Sequence, residues 1–260
     1  SLSAGPAVFR VRNTTVQVLG TAGDDDLTGV ADFDREGVKF HVYGFDGNDT
    51  LRGGAGADTL EGGGHASTDV SHAAFEGWRF EARITVPGAT PGGDGVDYTA
   101  SSAAVDVDLA RGSQLGGHAE GDVLAGIENV AGSRHDDILR GDAGDNVLAG
   151  LAGADLLDGR LGRDTADYRE SDAAVDVDLT RERQSGGHAE GDTLVGIENV
   201  IGSAGADRIV GNADHNILDG GAGDDTLLGG AGNDTLLGGS GADSMDGGFE
   251  RAWVDSRGRA

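Results

Sequence analysis

Gly220-Gly221-Ala222-Gly223-Asp224-Asp225-Thr226-Leu227-Leu228 is followed without a break by Gly229 to Leu237 and then by Gly238 to Asp246, all written to one nine-residue plan, Gly-Gly-x-Gly-x-Asp-x-(apolar)-x. The apolar slot holds Leu218, Leu227, Leu236 and Met245 in succession. One apolar residue per nine reads as one short strand per repeat, with a single side chain turned inward. A turn must follow each strand. Its three glycine slots are expected where the backbone adopts positive φ and lies close against the turn stacked above it. A Gly/Asp-rich linker shares this composition, but it has no reason to keep an apolar residue at every ninth position. The period therefore predicts a stacked parallel β-solenoid.

The sixth slot is acidic, as in Asp225, Asp234 and Asp243. Stacking such turns would set carboxylates and turn carbonyls side by side, an arrangement that repels itself without a cation. Hard oxygen donors, part carboxylate and part carbonyl, suit Ca²⁺ at about 2.3–2.6 Å, whereas Mg²⁺ demands stricter octahedral geometry. Several Ca²⁺ ions are thus the expected cofactor. The composition agrees: 46 acids against 19 bases leave a net charge of −27, which bound cations would offset. Nucleic acid and anionic membranes are excluded as partners, because both call for basic stripes and Lys39 is the single lysine. The absence of cysteine removes disulfides and thiolate metal sites, and fits a chain that folds outside the cell without oxidative help. No stretch is long and apolar enough to span a membrane, and Ser1 to Pro6 has neither the basic region nor the apolar core of a signal peptide. The start at serine suggests a fragment or a processed chain.

Three repeat blocks can be traced, giving five segments. Residues 1–64 hold an N-terminal strand and the first block, where Val18, Leu27, Val42, Leu51 and Leu60 keep the register around an inserted loop and Asp25, Asp49 and Asp58 fill the acidic slot. Residues 65–96 form a non-repeat insert. There Trp78, Phe80, Ala82, Ile84 and Val86 alternate with polar residues as an edge strand with an aromatic face, and Pro87 to Gly95 reads as a surface loop. Residues 97–167 and 168–248 are two copies of one module. Asp97-Tyr98, Ala103 to Leu109, Gly116 to Asp122 and Gly126 to Val130 recur 70 positions later as Asp167-Tyr168, Ala173 to Leu179, Gly186 to Asp192 and Gly196 to Val200. Each copy runs into a glycine array. The second block carries Asp137, Asn146, Asp155 and Asp164 at the acidic slot, and the third carries Asp207, Asn216, Asp225, Asp234 and Asp243. Residues 249–260 form a tail.

On these nonapeptides the chain resembles the RTX, or haemolysin-type, calcium-binding repeat proteins. The resemblance implies a right-handed parallel β-roll in which two nonapeptides make one coil and each ion lies between a turn and the turn two repeats later. It implies shared sites between Asp137 and Asp155, Asn146 and Asp164, Asp207 and Asp225, Asn216 and Asp234, and Asp225 and Asp243. The turn glycines Gly53, Gly56, Gly141, Gly144, Gly150, Gly153, Gly220, Gly223, Gly229, Gly232, Gly238 and Gly241 complete the candidate metal sites. The expected fold is all-β, with calcium-bound roll segments joined by short antiparallel or capping strands. The resemblance also implies export by type I secretion machinery, folding in external calcium, and a covalently linked enzyme or toxin domain. The family's secretion signal usually lies within the several tens of residues after the last repeat, whereas only Phe249 to Ala260 follow here.

Other constellations are plainer. His118-x-Glu120-x-Asp122 and its copy His188-x-Glu190-x-Asp192 would share one face if extended and so offer a further metal site. The alternative is a turn whose acids cap backbone amides. Glu128 and Glu198 stand two residues before Val130 and Val200, in the acidic slot but without its glycines, and read as closing the roll. No zinc-protease, nucleophile-elbow or phosphate-loop motif is present, so catalysis is not expected of this chain. The favoured reading is a secreted calcium-binding folding module. Its alternatives are a structural or adhesive cell-surface protein, with polysaccharide binding or self-association, and part of a secreted enzyme with its site in residues 65–130.

Overall fold

The computed structural model describes residues 8–12, 15–19, 26–27, 39–43, 50–53, 57–62, 94–248 and 253–255. The chain divides into two compact units, Ser1–Ser133 and Arg134–Ala260.

In the first unit the strands are β1 (Val8–Arg12), β2 (Thr15–Leu19), β3 (Asp26–Leu27), β4 (Lys39–Tyr43), β5 (Thr50–Leu51), β6 (Thr59–Glu61), β7 (Gly95–Asp97), β8 (Asp106–Asp108), β9 (Val123–Ala125) and β10 (Asn129–Ala131). β1 pairs antiparallel with β2, and the sheet then continues in parallel through β4, β6 and β9. β3, β5, β7 and β10 form a second parallel ladder. Inward residues face one another across each ladder: Val18, Val42, Leu60 and Leu124 in one, Leu27, Leu51, Val96 and Val130 in the other. All are buried. The aromatic alternation from Trp78 to Val86 lies outside the described residues. Gly95, read as loop, is instead buried in β7, because Val96 supplies the inward residue between Leu51 and Val130.

In the second unit the strands are β11 (Ile138–Arg140), β12 (Val147–Ala149), β13 (Leu156–Asp158), β14 (Thr165–Asp167), β15 (Asp176–Asp178), β16 (Thr193–Val195), β17 (Asn199–Ile201), β18 (Arg208–Val210), β19 (Ile217–Asp219), β20 (Thr226–Leu228), β21 (Thr235–Leu237), β22 (Ser244–Asp246) and β23 (Trp253–Asp255). Consecutive repeats go to different sheets. β12, β14, β17, β19, β21 and β23 form one parallel ladder, while β11, β13 and β16, and then β15, β18, β20 and β22, form the others. In the arrays each strand pairs with the strand 18 residues away, as Leu139 with Leu157 or Leu218 with Leu236. One coil is therefore two nonapeptides. Leu139, Leu148, Leu157, Ile209, Leu218, Leu227 and Leu236 are fully buried. Each stabilises the coil by about 1.5–3 kcal/mol, and the core is one side chain deep. Met245 is only half-buried, because β22 ends its ladder. The segment read as a tail adds β23 beside β21.

The duplicated inserts fold alike. Val105 and Val107, and likewise Val175 and Val177, are buried as their alternation requires, while Leu109 and Leu179 are half-exposed. Antiparallel bridges Asp106–Leu115 and Asp176–Ser185 return the chain, and a short 3₁₀ turn follows at Gly117–Ala119 and Gly187–Ala189.

Candidate calcium-binding turns

The acidic slots form hydrogen-bonded ladders. One carboxylate oxygen of Asp155 accepts the backbone N–H of Asp137 at 2.7 Å. Asp164 does the same for Asn146 at 2.7 Å, Asp225 for Asp207 at 2.8 Å, Asp234 for Asn216 at 3.0 Å and Asp243 for Asp225 at 3.1 Å. In the first unit Asp58 accepts from Phe40. The five pairs expected to share ions are thus adjacent, each separated by 18 residues. Asp25, Asp49 and Gly56 lie outside the described residues.

The second carboxylate oxygen differs in kind. Oδ2 of Asp155, Asp164 and Asp225 is buried and accepts no hydrogen bond from the protein. It rests against the first glycine of its own turn, respectively Gly150, Gly159 and Gly220. Gly53 lies in the same way against Asp58, Gly229 against Asp234 and Gly238 against Asp243; a Cβ on Gly229 would sit 2.5 Å from Asp234 Oδ2. Gly141 faces Asn146 Oδ1 and the Gly159 carbonyl. The fourth-slot glycines answer to a different neighbour. Gly223, at φ 125°, lies over the Gly205 carbonyl, and Gly153, at φ 150°, over that of His135, where a Cβ would come within 2.6 Å. Gly232 and Gly241 stack likewise on the carbonyls of Asp214 and Gly223. Positive φ occurs at the second slot in Gly221, Gly230 and Gly239, as well as Leu151 and Arg160, and at most fourth-slot glycines, but not at the first slot, contrary to the reading of all three alike. The first glycine makes room for a carboxylate oxygen. Gly144 is an exception at the fourth slot: it lacks positive φ, and its N–H is capped by Asp142.

Burial without a counter-charge raises these acids. Desolvation lifts Asp155 to about 8, against the lowering effect of the Asp137 N–H and with further upward pushes from the charges of Asp192, Asp137 and Asp136. Burial takes Asp164 to about 7 and Asp225 to about 6 in the same way. An orphaned, desolvated carboxylate oxygen beside a glycine cradle is the kind of donor that a hard cation would satisfy. Among the described residues no three Asp, Glu or His side chains converge on one point, so an ion here would need further donors such as the turn carbonyls. An all-oxygen donor set of this mixed kind fits Ca²⁺.

Not every acidic slot is equivalent. Asp207 has both oxygens occupied within the protein: Oδ1 by Val175 N–H and the Ser203 hydroxyl, Oδ2 by Ser203 N–H. Asn146 and Asn216 accept the second-slot N–H groups of Asp142 and Asn212. The fifth slot, which sequence reading passed over, also works: Asp136, Asp145 and Asp224 each accept the N–H of the residue 18 positions later, and His215 Nδ1 does so from Asn233.

Asp94, which the sequence reading missed, and Glu128, Glu198, Asp122 and Asp192, for which it gave other roles, rejoin the ladders after an insert. Asp94 is buried opposite Gly62 and its N–H donates to Glu128 at 2.6 Å; Glu198 holds the same place on Asp164 at 2.9 Å. Asp122 accepts from Asp58 N–H and Asp192 from Asp155 N–H. Asp94 was findable, since Asp164 stands 70 residues on in the duplicated module. Glu198 does not close the roll as expected, because the following β17 pairs with both β14 and β19. Nor do the His-x-Glu-x-Asp segments present one face. In the 3₁₀ turn Glu120 and Glu190 cap Gly116 and Gly186 N–H, while Asp122 and Asp192 turn inward.

Stacked glycine turns, a one-residue core and orphaned ladder carboxylates define a calcium-binding parallel β-roll. Comparison with known families gives the same answer for the repeats: the RTX calcium-binding nonapeptide repeat matches four times, at residues 43–66, 132–166, 192–227 and 219–250, and these segments are RTX calcium-binding repeats. No curated protein matches the chain.

Proposed function

We propose that the chain is a calcium-dependent folding module of a secreted protein. Its ordered coils form when ions occupy the sites shared between Asp137 and Asp155, Asn146 and Asp164, Asp207 and Asp225, Asn216 and Asp234, and Asp225 and Asp243. The observation that carries this reading is the buried, partnerless Oδ2 of Asp155, Asp164 and Asp225. Calcium scarce in a cytosol and plentiful outside it would keep the chain unfolded before export and close the coils afterwards. Extracellular calcium modules work at dissociation constants of about 10⁻⁴–10⁻³ M, a range suited to such a switch. Type I export and a linked enzyme or toxin domain follow from the kinship with RTX proteins. RTX repeats are themselves structural calcium-binding elements, and no reaction is assigned to this chain. The sequence segments 1–64, 65–96, 97–167, 168–248 and 249–260 serve as its proposed modules.

The test is circular dichroism of the metal-stripped chain during calcium titration, with magnesium as control. A cooperative gain of β signal with calcium alone is expected. A chain fully folded in chelator would overturn the reading.

A further inference from the structure

The two inserts give the ladder's second carboxylate oxygen a hydrogen-bond partner from the protein itself, although burial still raises Asp122 to about 8 and Asp192 to about 7. Asp192 occupies the place of a repeat acid, its Oδ1 accepting Asp155 N–H at 2.8 Å. Its Oδ2, the oxygen left orphaned in Asp155, Asp164 and Asp225, accepts the hydroxyl of Tyr168 at 3.0 Å. The first unit repeats the arrangement: Asp122 accepts Asp58 N–H and the Tyr98 hydroxyl, both at 2.9 Å. All four side chains are buried. Burial, and next the charge of the facing aspartate, raises both tyrosines well above their ordinary range, so each remains a donor.

Other buried side chains of each insert find their partners within it, although Arg111 Nε and Arg181 Nε make no hydrogen bond. Buried Gln114 accepts Asp108 N–H and donates to the Arg111 carbonyl, and Gln184 does the same with Asp178 and Arg181. The hydroxyls of Ser101 and Ser171 bond the carbonyls of Ala103 and Ala173 and accept the N–H groups of His118 and His188. In the next coil of the second unit, the acidic slot is filled by Val175, whose N–H goes to Asp207. The carboxylate row on this edge is therefore interrupted between Asp192 and Asp207.

We propose that each insert is a calcium-free clasp, in which a tyrosine hydroxyl satisfies the ladder carboxylate in place of the ion. These coils hold without calcium, nucleate the calcium-dependent turns beside them, and separate the ion row of the second unit into segments that load independently. The proposal rests on the reading that the repeat turns take calcium.

Hydrogen–deuterium exchange of the full chain tests it, in chelator and in saturating calcium. In chelator, amides of residues 94–131 and 164–201 are expected to exchange at least about tenfold more slowly than those of 205–246, with the difference closing on calcium addition. Uniformly fast exchange in chelator, with protection everywhere in calcium, would sink the clasp and leave the calcium module standing. Uniform protection in chelator would sink both. Tyr168→Phe should fold in calcium yet lose the chelator-resistant protection of 164–201, leaving 94–131 unaffected; Tyr98→Phe should do the converse. Unchanged protection in both variants would overturn the role given to the hydroxyls.

Discussion

At the scale of single residues, two glycines of one turn do different work, and substitution separates them. Gly223→Ala places a Cβ at φ 125° against the Gly205 carbonyl, so neighbouring turns cannot stack. A loss of about 1–3 kcal/mol or more is expected in thermal melts, even in saturating calcium. Gly220→Ala instead puts a methyl where Asp225 Oδ2 lies. The expected result is a fold recovered at high calcium and a titration midpoint raised about tenfold or more, the scale of removing one charged ligand contact. The acids themselves set the pH response. Asp155, Asp164 and Asp225 have folded values of about 8, 7 and 6 against an unfolded 3.8. Without calcium they therefore favour the folded chain most below about pH 4, and that contribution is lost as pH rises through 6 to 8. Melts in chelator should show lower stability at pH 8 than at pH 5. Calcium binds the ionised form, so calorimetry in buffers of different ionisation enthalpy should detect protons released at pH 6 and weaker binding there than at pH 8.

At the scale of strands, the core's thinness concentrates stability in single side chains. Leu227 is fully buried between Ile209 and Met245, and Leu227→Ala is expected to cost about 2–5 kcal/mol by denaturant unfolding in calcium. Met245→Ala, on the last strand of its ladder and half-exposed, should cost far less. The array strands were legible because every contact they make repeats at fixed spacing: the inward leucine, the acid two residues before it and the glycine that clears its oxygen. Coils interrupted by inserts were not legible in the same way. Asp58 meets Asp122 across 64 residues, Asp155 meets Asp192 across 37 and Asp164 meets Glu198 across 34. Which acid rejoins the ladder is decided by how the insert folds back, and no local period records that. The tyrosine partners were hidden for the same reason. Asp97-Tyr98 stood out only as one half of a duplication, while its hydroxyl finds Asp122 at the far end of the insert.

At the scale of the whole molecule, ion binding and folding are one event wherever a carboxylate is orphaned, and two events wherever a tyrosine has taken the ion's place. Calcium titration followed by exchange should therefore be biphasic in sequence position while remaining cooperative within residues 205–246. The 18-residue pairing offset carries a further consequence, for heredity rather than stability. A gene built of near-identical segments is prone to slippage, which adds or drops whole repeats. Loss of a pair, such as residues 220–237, leaves every later strand in the sheet it already occupied. Loss of a single repeat sends each later strand across to the opposite sheet, and with it whatever the outward residues display. Repeats lost or gained in pairs pass unnoticed by the fold, while odd numbers exchange its two faces, so the coil counts even where the gene does not.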